Sequence, residues 1–100
     1  MSFGLTPRVL AEVRSVFSDF PQIQKVILYG SRAMGNYRNG SDIDLTFKGK
    51  DLNLKILNQV ENRLDDLLSP YSFDLSILEK IENQELLDHI ERAGVEFYKR

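Results

Sequence analysis

Ten residues separate Ser31 of Gly30-Ser31-Arg32 from Asp42-Ile43-Asp44, and the two clusters together can do chemistry. Side chains on a strand alternate with period two, so Asp42 and Asp44 point the same way if they lie at a strand edge. Two such carboxylates can hold one or two divalent cations. A Gly-Ser turn that opens a helix offers backbone N–H groups to phosphate oxygens. The combination describes a site for a metal-bound nucleoside triphosphate. Arg32 is placed to pair with phosphate oxygens, and Arg38, in the following loop, is a weaker candidate of the same kind. Asp74, on a later alternating segment, is a third carboxylate. Three converging carboxylates repel one another by roughly 4 kcal/mol per close pair at an effective dielectric of 20, and a divalent cation removes that repulsion. Mg²⁺ suits such a set, because it takes oxygen ligands and binds through a few carboxylates plus substrate phosphates.

Each piece alone has a plainer explanation. Most D-x-D pairs are the solvated face of an edge strand, and Gly30-Ser31 is equally a strand-to-helix turn with a serine cap. Asp74 alone could be a paired strand carboxylate. The spacing between the pieces favours chemistry.

Other chemistries are excluded. The chain has 100 residues, 42% of them hydrophobic, which predicts one domain over residues 1–100 with a single core. A net charge of −2 and a pI near 5.3 give no broad basic surface for duplex nucleic acid. Without cysteine there are no disulfides, thiolate zinc sites or cysteine nucleophile. His89, the single histidine, reads as a solvated residue of the last helix. Neither a P-loop nor a G-x-G-x-x-G pattern is present, and the four tyrosines are too scattered for a base-stacking platform. With no targeting segment and no apolar run long enough for a bilayer, a cytoplasmic setting away from membranes is expected.

The elements that must position these residues alternate between helix and strand. Thr6-Pro7 opens a first amphipathic helix that ends near Phe20-Pro21. Lys25 to Tyr29 is a short buried strand, Ser31 to about Tyr37 a short helix or turn, and Asn36 to Ser41 a loop. Asp42 to Phe47 alternates, with Ile43, Leu45 and Phe47 on one face and Asp42, Asp44 and Thr46 on the other. Asp51 to Leu68 is a longer amphipathic helix broken at Pro70-Tyr71. Ser72 to Leu78 alternates again and carries Asp74 on its polar side. A last helix runs from about Asn83 to Ala93, with Leu86, Leu87 and Ile90 inward and Gly94 as its stop; Val95 to Tyr98 adds a short extended end. The predicted fold is α+β in two layers: a small mixed sheet of three to four strands, helices on its apolar face, and a polar face carrying three aspartates.

Gly30-Ser31, Asp42-Ile43-Asp44 and the later Asp74 resemble the signature of the polymerase-β-type nucleotidyltransferase superfamily. The small size is similar to its minimal branch, which includes the MntA-type antitoxins that pair with HEPN-domain proteins. This resemblance covers nearly the whole chain. It implies a nucleotidyltransferase fold in which Asp42, Asp44 and Asp74 are catalytic and hold one or two Mg²⁺ ions. It implies further that Gly30, Ser31 and Arg32 bind the nucleotide, ATP above all, and that Asp74 helps to accept the proton of the acceptor hydroxyl.

Larger members resembling this core append a helical domain for base and acceptor, so here a partner, self-association or a few local contacts are expected to do that work. Three functions are consistent with the residues. The first is transfer of AMP, or another NMP, to a hydroxyl of a HEPN-type partner in a toxin–antitoxin pair. The second is a non-catalytic antitoxin that neutralises its partner by occlusion. The third is transfer to a small molecule or an RNA end. The intact set Ser31, Asp42, Asp44 and Asp74 favours the first.

Overall fold

The described residues of the computed structural model are 3–68 and 70–100. Helix α1 (Pro7–Ser18) begins where the Thr6 hydroxyl accepts the Val9 N–H at 3.2 Å. Strand β1 (Lys25–Tyr29) leads through Gly30 into the short helix α2 (Ser31–Met34), which stops at Gly35 rather than reaching Tyr37 because Gly35 turns left-handed at φ 84°. Strand β2 (Ile43–Lys48) is followed by α3 (Leu54–Leu68), which starts three residues later than Asp51 because the Asn53 side chain caps it by accepting the Ile56 N–H at 2.9 Å. Strand β3 (Phe73–Ile77) runs into a 3₁₀ turn over Leu78–Lys80. Helix α4 (Gln84–Ala93) is capped by Asn83, and strand β4 (Val95–Lys99) follows. Gly94 ends α4 in an extended conformation, not a left-handed one; a Cβ there would press on the Ile90 carbonyl and the Ile27 side chain.

The sheet order is β3-β2-β1-β4. Strand β1 is antiparallel to both neighbours, whereas β2 and β3 are parallel and need a crossover, which α3 supplies. One face carries the core: Val26, Leu28, Ile43, Leu45, Phe47, Ile77 and Phe97 pack with Val13, Val16 and Phe17 of α1 and Leu57, Val60, Leu64 and Leu68 of α3. The Phe17 ring stands edge-on to Phe47 at 5.2 Å and to Tyr98 at 5.6 Å. Truncating such a residue to alanine costs about 3–5 kcal/mol.

The expectation that all helices share the apolar face holds for α1 and α3 and fails for α4. Ile27 and Tyr29 project away from the core face occupied by Val26 and Leu28, and α4 lies on them through His89 against the Tyr29 ring and Gly94 against Ile27. The inward stripe of α4 showed that the helix packs, but it could not show on which side of the sheet. Beyond α4, at the far end of the same open face, Lys99, Lys25 and Lys48 are paired side by side across β4, β1 and β2. Lys25 reaches Glu96 at 3.7 Å. Among the described residues no helix is long and apolar enough to cross a membrane.

Candidate active site

The register brings the site together. Tyr29 pairs with Asp44 across β1 and β2, and Asp44 pairs with Asp74 across β2 and β3, so the three form one row on the open face. Asp42 lies two residues before Asp44, just ahead of the strand. Asp42 and Asp74 are exposed and Asp44 is half-buried. Burial raises the Asp44 pKa above its ordinary value, and the Asp74 and Asp42 carboxylates raise it further, while His89 opposes them. Asp44 is thus the carboxylate of the row that bears both burial and the charge of its neighbours.

Gly30 closes the row from above. Its φ of 77° and ψ of −157° fall in a region reserved for glycine, and a Cβ on it would run into Asp44 Oδ2. The turn is thus pressed against the central carboxylate. Helix α2 begins there: the Met34 N–H returns to the Gly30 carbonyl at 3.1 Å, and first-turn N–H groups of any helix lack intrahelical partners. Ser31, half-buried, sits at that turn.

Among the described residues, no three His, Cys, Asp or Glu side chains are already closed around a common point as a metal site. The donor set nevertheless fits a hard divalent cation: three carboxylates at one end of one face, the central one burdened by burial and by its neighbours.

Arg32 does not face this site. It is 4% exposed; its Nε and one terminal nitrogen donate to the Ser41 carbonyl at 3.1 and 3.0 Å, and the other terminal nitrogen donates to the Phe3 carbonyl at 2.8 Å. Tyr37 and Tyr71 lie against its guanidinium at 5.3 and 5.9 Å. The phosphate contact expected of Arg32 is replaced by a brace that holds Ser41, the residue before Asp42. Arg38 is exposed; with Arg32, Tyr37 and Tyr71 it lines a depression of about 280 Å³ behind the loop. Larger depressions, of about 460 and 420 Å³, lie at the opposite end of the sheet among Lys25, Lys48, Lys50 and Lys99. The larger depressions therefore lie away from the carboxylate row.

Two residues of the site went unassigned in the sequence. His89 is half-buried rather than solvated, and its Nε2 accepts the Gly30 N–H at 3.0 Å. Its place at helical spacing between Leu86 and Ala93 was the available signal. Tyr29 forms the floor of the row. Burial raises its phenol pKa, the adjacent Ser76 hydroxyl lowers it, and Asp74 and Asp44 raise it. Ser76 Oγ finds no partner of good hydrogen-bond geometry, so burial and the carboxylates decide the direction.

A family model described as Polymerase beta, Nucleotidyltransferase matches residues 11–100. The chain belongs to this family. The nucleotidyltransferase is 30% identical over 93 residues to a candidate protein adenylyltransferase of Methanocaldococcus jannaschii, an alignment covering 85% of this chain and 87% of that one. A chain of a toxin–antitoxin crystal structure with AMP-PNP shares its fold at TM-score 0.75 and 22% identity, over 91% of the nucleotidyltransferase and 73% of that chain. So does a chain of a Shewanella oneidensis complex of tri-AMPylated HEPN toxin with MNT antitoxin, at TM-score 0.69 and 19% identity, over 93% and 71% of the two chains. By family the protein is a transferase, and its four-stranded mixed sheet is the nucleotidyltransferase fold.

Proposed function

We infer that this nucleotidyltransferase moves AMP from ATP to a hydroxyl of a partner protein, as the antitoxin of a HEPN/MNT pair in the cytoplasm. The observation that carries the reading is the Gly30 turn seated on Asp44, with Asp74 in register beside it. A phosphate-binding turn and a carboxylate row are thereby in contact. The protein acceptor draws its support from the Methanocaldococcus jannaschii relative, and the HEPN partner from the fold shared with the toxin–antitoxin chains.

Asp42, Asp44 and Asp74 would hold Mg²⁺, one or two ions. When bound, the ion supplies charge neutralisation for the triphosphate and lowers the pKa of the acceptor hydroxyl. The Ser31 hydroxyl and the first N–H groups of α2 orient the β- and γ-phosphates. The acceptor oxygen attacks the α-phosphorus in line; an O–P bond forms as the bond to the bridging oxygen breaks, and pyrophosphate leaves with the electron pair. Asp74, exposed at the rim, takes up the hydroxyl proton. Arg32 acts at one remove by bracing Ser41 and so the approach to Asp42.

The test is transfer of label from α-phosphate-labelled ATP, with Mg²⁺, into a lysate of the source cell. A protein band with wild type and none with Asp44→Asn supports the reading. No band, together with tight association with a neighbour-encoded protein, transfers the weight to an antitoxin that works by occlusion.

A further inference from the structure

The hydrogen bond from the Gly30 N–H to His89 Nε2 joins the phosphate turn to α4 across 59 residues of sequence. Gly30 lies between β1 and α2 in a glycine-only conformation, so neither element satisfies its N–H and an outside acceptor is required. The imidazole that supplies it is half-buried and edge-on to the Tyr29 ring at 6.1 Å. Asp44 lies against the same glycine, where a Cβ would meet its carboxylate. His89, Gly30 and Asp44 are therefore contiguous, and an imidazole accepting at Nε2 carries its proton on Nδ1.

We propose that His89 is a positioning residue for the triphosphate, a role that rests on the function read for the site above. By accepting the Gly30 N–H it fixes the plane of the Tyr29–Gly30 peptide. That plane aims the Ser31 hydroxyl and the following N–H groups at the phosphates, and it withdraws the Gly30 N–H from the set of phosphate donors. Helix α4 is in this way part of the nucleotide site, although its residues supply no metal ligand and no phosphate contact.

Two variants separate this role from simple packing. His89→Gln keeps an acceptor at the reach of Nε2; His89→Phe keeps a ring against Tyr29 and loses the acceptor. The readouts are the Gly30 amide resonance in the nucleotide-free protein and the affinity for Mg²⁺ with AMP-PNP. His89→Phe is expected to shift the Gly30 resonance and to weaken binding about tenfold or more, the consequence of an unpaired donor that no longer holds its peptide in place. His89→Gln is expected to stay within about threefold of wild type. Should His89→Phe not fold, His89→Asn, whose amide oxygen falls short of Gly30, takes its place. Wild-type affinity in the acceptor-less variant overturns the role of His89 alone. Tighter binding overturns it too, since His89 would then compete with phosphate for the Gly30 N–H. If wild type binds no Mg²⁺–AMP-PNP, the reading of the site itself falls and the role of His89 with it, a failure distinguishable because the Gly30 resonance is read without nucleotide.

Discussion

Asp44 and Asp74 stand directly opposite each other across the parallel strands β2 and β3. Like charges placed this way are destabilising, so the fold holds at one end of its open face a pair that a bound cation would relieve. Asp44 binds its proton more tightly in the folded chain than its ordinary value of 3.8 allows. Below that value neither state ionises and Asp44 costs nothing. As pH rises through 3.8 and then through the raised folded value, the fold takes on a charge that it disfavours, and stability falls. Asp44→Asn is expected to melt higher than wild type in metal-free buffer at neutral pH, and the two should converge in acid. The same variant is expected to lose more than about 100-fold in transfer, since even indirect changes at metal sites reach that scale. Mg²⁺ should raise the wild-type melting temperature and leave Asp44→Asn unmoved. Scanning calorimetry across pH, with and without Mg²⁺, reads all of this.

Gly30→Ala tests the contact between turn and carboxylate. The new Cβ would meet Asp44 Oδ2 and force a glycine-only backbone, at a cost of about 1–3 kcal/mol. Denaturant melts should show that loss, and label transfer should disappear in protein that is still folded.

Arg32→Lys separates a brace from a phosphate ligand. Lysine keeps the charge but cannot reproduce a fork that donates to both Ser41 and Phe3, so a stability loss of about 1–3 kcal/mol is expected. Affinity for Mg²⁺–AMP-PNP in the remaining folded fraction should change by less than the stability does. A collapse of affinity at unchanged stability would return Arg32 to the phosphates.

The lysine row predicts a salt response. Lys99, Lys25 and Lys48 are direct neighbours across three strands, and Glu96 reaches Lys25. Lys48→Glu is expected to stabilise the chain by about 0.2–1 kcal/mol. The gain should shrink as ionic strength rises, because added salt screens the repulsion that the variant removes.

The strands and their faces were legible because period-two alternation in Asp42–Phe47 and Ser72–Leu78 separates aspartates from core residues without reference to any partner strand. The direct pairing of Asp44 with Asp74 was not, since alternation says which face a residue takes and nothing about which strand lies beside it. The side taken by α4 was hidden for the same reason: Leu86, Leu87 and Ile90 mark an inward stripe that would serve on either face. Arg32 was misread because its partners are the backbone carbonyls of Ser41 and Phe3, which have no sequence signature. His89 was misread because polarity was weighed above its position on the stripe.

The Gly30–His89 bond also sets an order of assembly. The β1–β2 pair and the start of α2 are close in sequence and can form as soon as they are synthesised, whereas contacts of long sequence separation come later. A nascent chain carries Asp42, Asp44 and Asp74 before α4 exists to accept the Gly30 N–H. Chains cut or stalled between residues 74 and 89 thus carry all three carboxylates with a Gly30 turn that has yet to meet its acceptor.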